Sequence, residues 1–306
     1  MSFVVILSAL ELGCIYSLVA LALLLSFRVL NIADMTTDGS FTLGCAVSAT
    51  LAVAGHPLLA IPAAMACGAA AGFITAALQT RLKIPSILAG IITNTGLYTV
   101  NLAVMGFSSN VNMLRTQTLF TLVRPALGAF YRLVPSAIAA AALAVAMVLF
   151  LKTRLGLSIR ATGDNPDMVR ASSINTSFTI TVGLCVSNAC TALSGALIAQ
   201  YQKTADMSMG TGMVIIGLAS LIIGETLIRR GKLWGKALGV ILGSIVYRFI
   251  MAIALRLDLP SECLKLISAV IVALAIGLPN LTAARKRGVK KCRPCRTSPK
   301  PSIPAR

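Results

Sequence analysis

Asn94, Tyr98 and Asn101 recur at i, i+4 and i+7 inside an apolar run, with Thr95 beside them. On a helix that spacing puts the three on one face. Asn188 and Thr191 repeat the arrangement in a later apolar run, with Gly195 one turn further. None of these side chains carries charge, so their chemistry is hydrogen bonding. Two uses fit: a polar stripe along a solute path, or amides tying helices together in lipid. A third group lies in a polar stretch. Asn165-Pro166-Asp167 is a helix start, because Asn is a good N-cap, Pro suits the first helical position and an acid in the first turn suits the macrodipole. The pattern predicts a short helix from Pro166 to near Ser173. Its Met168, Ala171 and Ser172 share a face small enough for another protein surface to approach. A helix resting on lipid headgroups is the alternative use.

Catalytic chemistry finds no residues. His56 is the only histidine, which excludes a His-Glu-x-x-His zinc site, and no Ser/His/Asp triad is expected around it. No Walker A spacing occurs, and Gly231-Lys232-Leu233-Trp234-Gly235-Lys236 is basic and glycine-containing without it. Six of the 8 cysteines (Cys14, Cys45, Cys67, Cys185, Cys190 and Cys263) lie in or beside apolar runs, where Cys packs as a small apolar residue. Cys292 and Cys295 form one C-x-x-C, short of the four ligands a zinc site needs. No metal or cofactor bound by this chain is expected.

The elements that must position these residues are membrane helices. Hydrophobic residues make up 57% of 306 and charged residues 12%, against about 25% charged in ordinary soluble domains. Apolar runs of spanning length recur. They predict an all-α polytopic bundle of about nine spans, near 5–27, 38–54, 58–78, 88–107, 134–151, 178–200, 211–228, 235–254 and 262–280. The net charge of +18 sits in loops flanking the spans. Twenty Lys and Arg fall on the side of the C-terminus and seven on the other. The positive-inside rule then predicts a cytoplasmic C-terminus and an outer N-terminus. Topology accounts for the basic charge, so nucleic acid is not an expected partner. The first residues lack a positive n-region and read as the first span.

Residues 1–281 form one predicted membrane domain, and 282–306 a basic, disordered cytoplasmic tail. The outer segment 108–133 has room for a short surface helix. Gly68 and Gly72 form a GxxxG, and Ser194-Gly195-Ala196 a second small patch, both suited to close helix approach. Between the first two spans, residues 28–41 carry Asp34, Asp38 and several hydroxyls, which fits either a re-entrant element or a cytoplasmic turn. Glu11 and Glu225 are the carboxylates expected at membrane depth. Both lie near span ends, which argues mildly for energy supplied from outside this chain.

The run from Gly156 to Pro166, followed by Ala171 and Ser173-Ile174-Asn175, resembles the cytoplasmic loop of ABC-importer permeases of the branched-chain amino acid and ribose group. The family pattern is roughly G-x-x-x-R-A-x-G-x-N-x-x-A-A-x-x-x-G-I. Residues 193–199 and 210–224 also fit. The segment 31–44 resembles a subgroup linked to uptake of amino acids, aromatic ones included. The resemblance covers about residues 1–280. It implies a non-catalytic permease for a small solute, an amino acid. Its partners would be a cytosolic ABC ATPase, which binds the ATP and Mg, an extracytoplasmic solute-binding protein and a second permease copy in a homodimer. It assigns ATPase coupling to Arg160, Ala161, Gly163, Asn165, Pro166, Met168, Arg170 and Ala171, with alternating access driven through that loop. Permeases of this kind often leave selectivity to the binding protein, so the path itself can be chemically plain. Ser173 departs from the pattern, which has Gly there. A self-contained, gradient-driven carrier is the competing reading, and a scaffold without transport a lower third.

Overall fold

The computed structural model describes residues 3–228, 233–255 and 270. The predicted span at 262–280, apart from residue 270, Cys263, the tail at 282–306 and its Cys292–Cys295 pair lie outside the described residues.

The chain is mostly helical. α1 (Phe3–Leu23) continues through one π-helical stretch (Leu24–Val29). α2 (Thr37–Val53), α3 (Ala60–Thr80) and α4 (Ser86–Val104) follow. Then come α5 (Leu119–Leu127), α6 (Leu133–Lys152), α7 (Arg154–Asp164) and α8 (Pro166–Ala171). α9 (Thr176–Gln202), α10 (Met213–Leu227) and α11 (Leu233–Leu255) complete the set. Among the described residues, 6 helices are long and apolar enough to cross a membrane. They include α1, α3, α4, α6, α9 and α11. They correspond to six of the nine expected spans. α2 and α10 match predicted spans in position, but 17 and 15 residues fall short of the ~20 that a ~30 Å core demands.

The all-α expectation also missed one element. β1 (Asn110–Asn112) pairs antiparallel with β2 (Thr204–Asp206), Val111 opposite Ala205. Strands of 3 residues, 92 or more positions apart, leave no period to read. The expected helix in 108–133 is α5. The side chain of Thr118 accepts the Thr121 N–H, and the Thr121 hydroxyl returns the favour to the Thr118 backbone N–H, a capping box.

α1 and α9 form the core. Residues 15–25 of α1 are buried throughout, as is most of α9 from Gly183 on. Serines stitch the pair: Ser187 donates to the Ala22 carbonyl at 2.9 Å and Ser194 to the Ile15 carbonyl at 2.8 Å. The helices therefore run antiparallel. α2 runs parallel to α9, with Ser40 on Asn188 and Ser48 on the Ala196 carbonyl. The predicted small faces do the close packing. A Cβ at Gly68 would lie 2.6 Å from the Asn188 carbonyl, and one at Gly72 2.5 Å from that of Leu184. Such contacts supply the van der Waals gain that replaces hydrophobic driving force in lipid.

α2 and α10 both begin inside the bundle. Ser40, in the first turn of α2, meets Asn188, midway along the 27 residues of α9. α10 starts beside α2 and runs the other way, along α1, until Glu225 pairs with Arg28 at 2.8 Å. Residues 30–36 form the non-helical lead into α2. Asp34 and Thr36 there are fully buried, so the segment is re-entrant and not a solvent-facing turn.

Candidate functional site

Two features are candidates for the functional site. The first is a cavity of about 300 Å³ where the short helices begin. Asn94, Tyr98 and Asn101 of α4 line it, on one face as their i, i+4, i+7 spacing requires, with Thr95 beside them. Asp38, Gly39 and Thr42 of α2 and Met207 and Thr211 of the lead into α10 complete the wall. Two spacing-of-four pairs, Asp38 with Thr42 and Met207 with Thr211, were available in the sequence. They were missed because both lie where spans break.

Asp38 organises the cavity. Its carboxylate accepts the backbone N–H of Gly212 at 3.0 Å and of Val214 at 2.9 Å. These are orphan donors at the start of α10, and a carboxylate there also suits the macrodipole. One acid thereby ties the beginnings of two oppositely directed helices. Asn101 is 1% exposed and donates to the Gly39 carbonyl at 3.3 Å. Its Oδ1 is buried without a donor.

Asn188 and Thr191 are elsewhere. Asn188 is fully buried: it donates to the Asp34 carboxylate at 2.7 Å and to the Leu184 carbonyl, and accepts from Ser40 at 2.7 Å. Asp34 also takes the Thr36 backbone N–H at 2.9 Å. Thr191 donates one turn back, to the Ser187 carbonyl. Neither residue lines the cavity. Of the two uses open to this second stripe, the structure gives Asn188 interhelical bonding, to Ser40 of α2, while the bond of Thr191 stays within α9. The carboxylate inventory changes as well. Besides Glu11, held by the Tyr201 hydroxyl at 2.8 Å, and Glu225, Asp34 is fully buried in the bundle and Asp38 half-buried at the cavity. Carboxylate scarcity therefore no longer argues about the energy source.

The second feature is the 153–176 segment. It holds two helices, where one was expected. α7 was missed because Gly156 and Gly163 break its pattern, yet both glycines pack. A Cβ at Gly163 would collide with the Val29 carbonyl, and one at Gly156 with the end of α6. Thr162 and Thr179 share a hydrogen bond of 2.9 Å that ties α7 to α9. α8 begins where predicted, with the Asn165 side chain accepting the N–H groups of Asp167 and Met168, both at 3.1 Å. It ends at Ala171, short of Ser173. Val169 is buried as its anchor, while Arg160, Ala161, Asn165, Pro166, Met168, Arg170 and Ala171 are exposed, Met168 by 69%. Gly163 is half-buried. Arg170 bonds the Thr176 hydroxyl at 3.2 Å and lies 3.5 Å from Asp167.

Ser173 has φ +60°. Its N–H bonds the Arg170 carbonyl and that of Ile174 reaches Val169, the two bonds of a Schellman stop. That stop wants a left-handed residue, normally Gly, which accounts for the Gly of the loop pattern.

α8 and the β1–β2 ribbon flank the two ends of α9, so they sit at opposite ends of the bundle. The cavity lies between them.

Comparisons agree with this geometry. The family model described as branched-chain amino acid transport system / permease component matches residues 5–277. The chain is 33% identical over 286 residues to a tyrosine transport system permease protein of Clostridioides difficile, covering 92% of this chain and 94% of the relative. It is 30% identical to an uncharacterized protein of Rickettsia prowazekii, covering 89% and 96%. It is 23% identical to the ribose import permease protein of Haemophilus influenzae, covering 83% and 78%. No solved structure matches the chain. The match over nearly the whole length, together with the helical bundle, shows that the chain belongs to the branched-chain amino acid transport system permease family, as a non-catalytic, multi-pass inner-membrane permease of an ABC importer.

Proposed function

We propose that this permease carries an amino acid along the 94–101 cavity and couples to a cytosolic ABC ATPase through α8. The observation that carries the reading is α8 itself. It is capped at one end, stopped at the other and anchored by buried Val169, yet it turns Met168, Arg170 and Ala171 to the surface. Such a helix is pre-ordered for docking, so little ordering entropy is lost on binding. The charge asymmetry of the loops supports a cytoplasmic α8 and an outer N-terminus. The β1–β2 ribbon then faces outward, where a solute-binding protein would deliver the solute. A second copy completes the path as a homodimer. The tyrosine permease relative supports the amino-acid assignment. ATP and Mg act on the partner ATPase. ATP binding there would shift α8, and with it the α7 and α9 ends to which it is tied.

The test is co-purification from mild detergent. Met168→Glu combined with Ala171→Glu is expected to lose the ATPase while the permease elutes as a folded species. Retention of the ATPase by that variant would falsify the docking role.

A further inference from the structure

The cavity wall has a bias in hydrogen-bonding capacity. Thr42, Thr95 and Thr211 each commit their hydroxyl proton to a backbone carbonyl, of Asp38 at 3.1 Å, Ile91 at 2.9 Å and Ser208 at 2.7 Å. What each retains is oxygen lone pairs. Asn101 commits one of its two amide N–H groups to Gly39. That bond also settles the amide orientation, since an oxygen turned to the same carbonyl would be repelled. Its Oδ1 is left as a buried acceptor with no donor, in a residue 1% exposed. Asp38 adds a carboxylate, and neither Lys nor Arg lines the wall. The positive end of α10, the feature that in broken helices of transporters serves anions, is already occupied by Asp38. The donors left uncommitted are the Asn94 amide, the Tyr98 hydroxyl and the second amide N–H of Asn101, fewer than the acceptor oxygens around them.

We infer that the cavity recognises the protonated amine of its solute. The N–H groups would go to Asn101 Oδ1 and the threonine oxygens, with Asp38 as the opposing charge. The inference rests on the cavity being the solute path, as proposed above, and adds that selectivity for an amine resides in this chain as well as in any binding protein. A carboxylate or sulfonate that comes without an amine brings acceptors to acceptors and charge to like charge, and is disfavoured; the carboxylate of an amino acid would turn away from Asp38, towards the Asn94 and Tyr98 donors.

The test uses the full chain in membranes with Thr95→Cys at the cavity and, separately, Leu58→Cys at an exposed position outside it. Labelling is read at each site by peptide mass spectrometry. The reagents are a cationic trimethylammonium-ethyl and an anionic sulfonatoethyl methanethiosulfonate. The cation-to-anion rate ratio at Thr95→Cys is expected to exceed that at Leu58→Cys on the order of ten-fold. Tyramine and L-tyrosine are expected to slow labelling, while 3-(4-hydroxyphenyl)propanoate, which lacks the amine, does not. Asn101→Leu is expected to weaken tyramine protection, and Asn101→Gln, which keeps both an amide donor and an acceptor, to retain it should the Leu variant not fold. Equal ratios at the two sites, equal protection by the deaminated acid, or no labelling at Thr95→Cys overturn the inference. ATPase co-purification is measured on the same preparations. Retained ATPase with no amine preference sinks this inference alone, whereas lost ATPase with the preference intact counts against the importer assembly and not against the cavity.

Discussion

Asn188 donates its side-chain amide to the Asp34 carboxylate across 2.7 Å, from the middle of α9 to the re-entrant segment before α2. Both residues are fully buried. The bond holds a polar chain segment at a depth where only protein can satisfy it. Asn188→Leu removes that donor and also the acceptor of Ser40. The expected result is destabilisation of about 2–3 kcal/mol, seen as a lower midpoint when heated samples are followed by size-exclusion chromatography. An unchanged midpoint would refute a supporting role for this pair.

Asp38→Asn keeps one acceptor but loses the charge at the start of α10. Charge-assisted bonds to backbone N–H groups are about twice as strong as neutral ones. The variant is expected to fold with a stability lower by about 1 kcal/mol and to lose the cation preference of the cavity. Charge-selective labelling at Thr95→Cys measures the second effect. An unaltered ratio would mean that Asp38 acts only as a cap.

Gly163 separates packing from docking. Glutamate there collides with the Val29 carbonyl, so Gly163→Glu is expected to reduce the yield of folded permease. Met168→Glu lies at an exposed position and is expected to spare yield while weakening ATPase binding. Yield after solubilisation and ATPase retention, measured together, distinguish the two. Equal yields would contradict the close approach.

Ser173→Gly relieves a left-handed residue at the α8 stop. The gain is expected to be about 0.5–1 kcal/mol, since the conformation is disfavoured for residues with a Cβ. Hydrogen exchange of the 170–176 peptide should slow, because the Ile174 N–H closes that stop on Val169. Faster exchange would show that Ser173 contributes something glycine cannot.

Asn94→Leu removes an uncommitted donor group of the cavity, with no bond in the bundle resting on it. Uptake of the solute into membrane vesicles is expected to fall several-fold while permease yield holds. A matching fall in yield would make Asn94 a packing residue.

Much of this protein was determined by local sequence. Apolar run length placed the helices, because crossing lipid demands it, and Asn165-Pro166-Asp167 placed the start of α8, because capping is a property of adjacent residues. The α4 stripe was legible because helical spacing puts side chains on a face wherever the helix lies. Tertiary structure decided what each polar face meets. Asn94 and Asn101 look into a cavity while Asn188, of the same residue type and a similar setting, is sealed against Asp34. Periodicity reports direction around a helix axis and says nothing of the neighbour across it. The beginnings of α2 and α10 were hidden for the same reason. Each is completed by a partner more than 170 positions away, Asp38 on Gly212 and Val214, and a bond of that separation exists only once the bundle has closed.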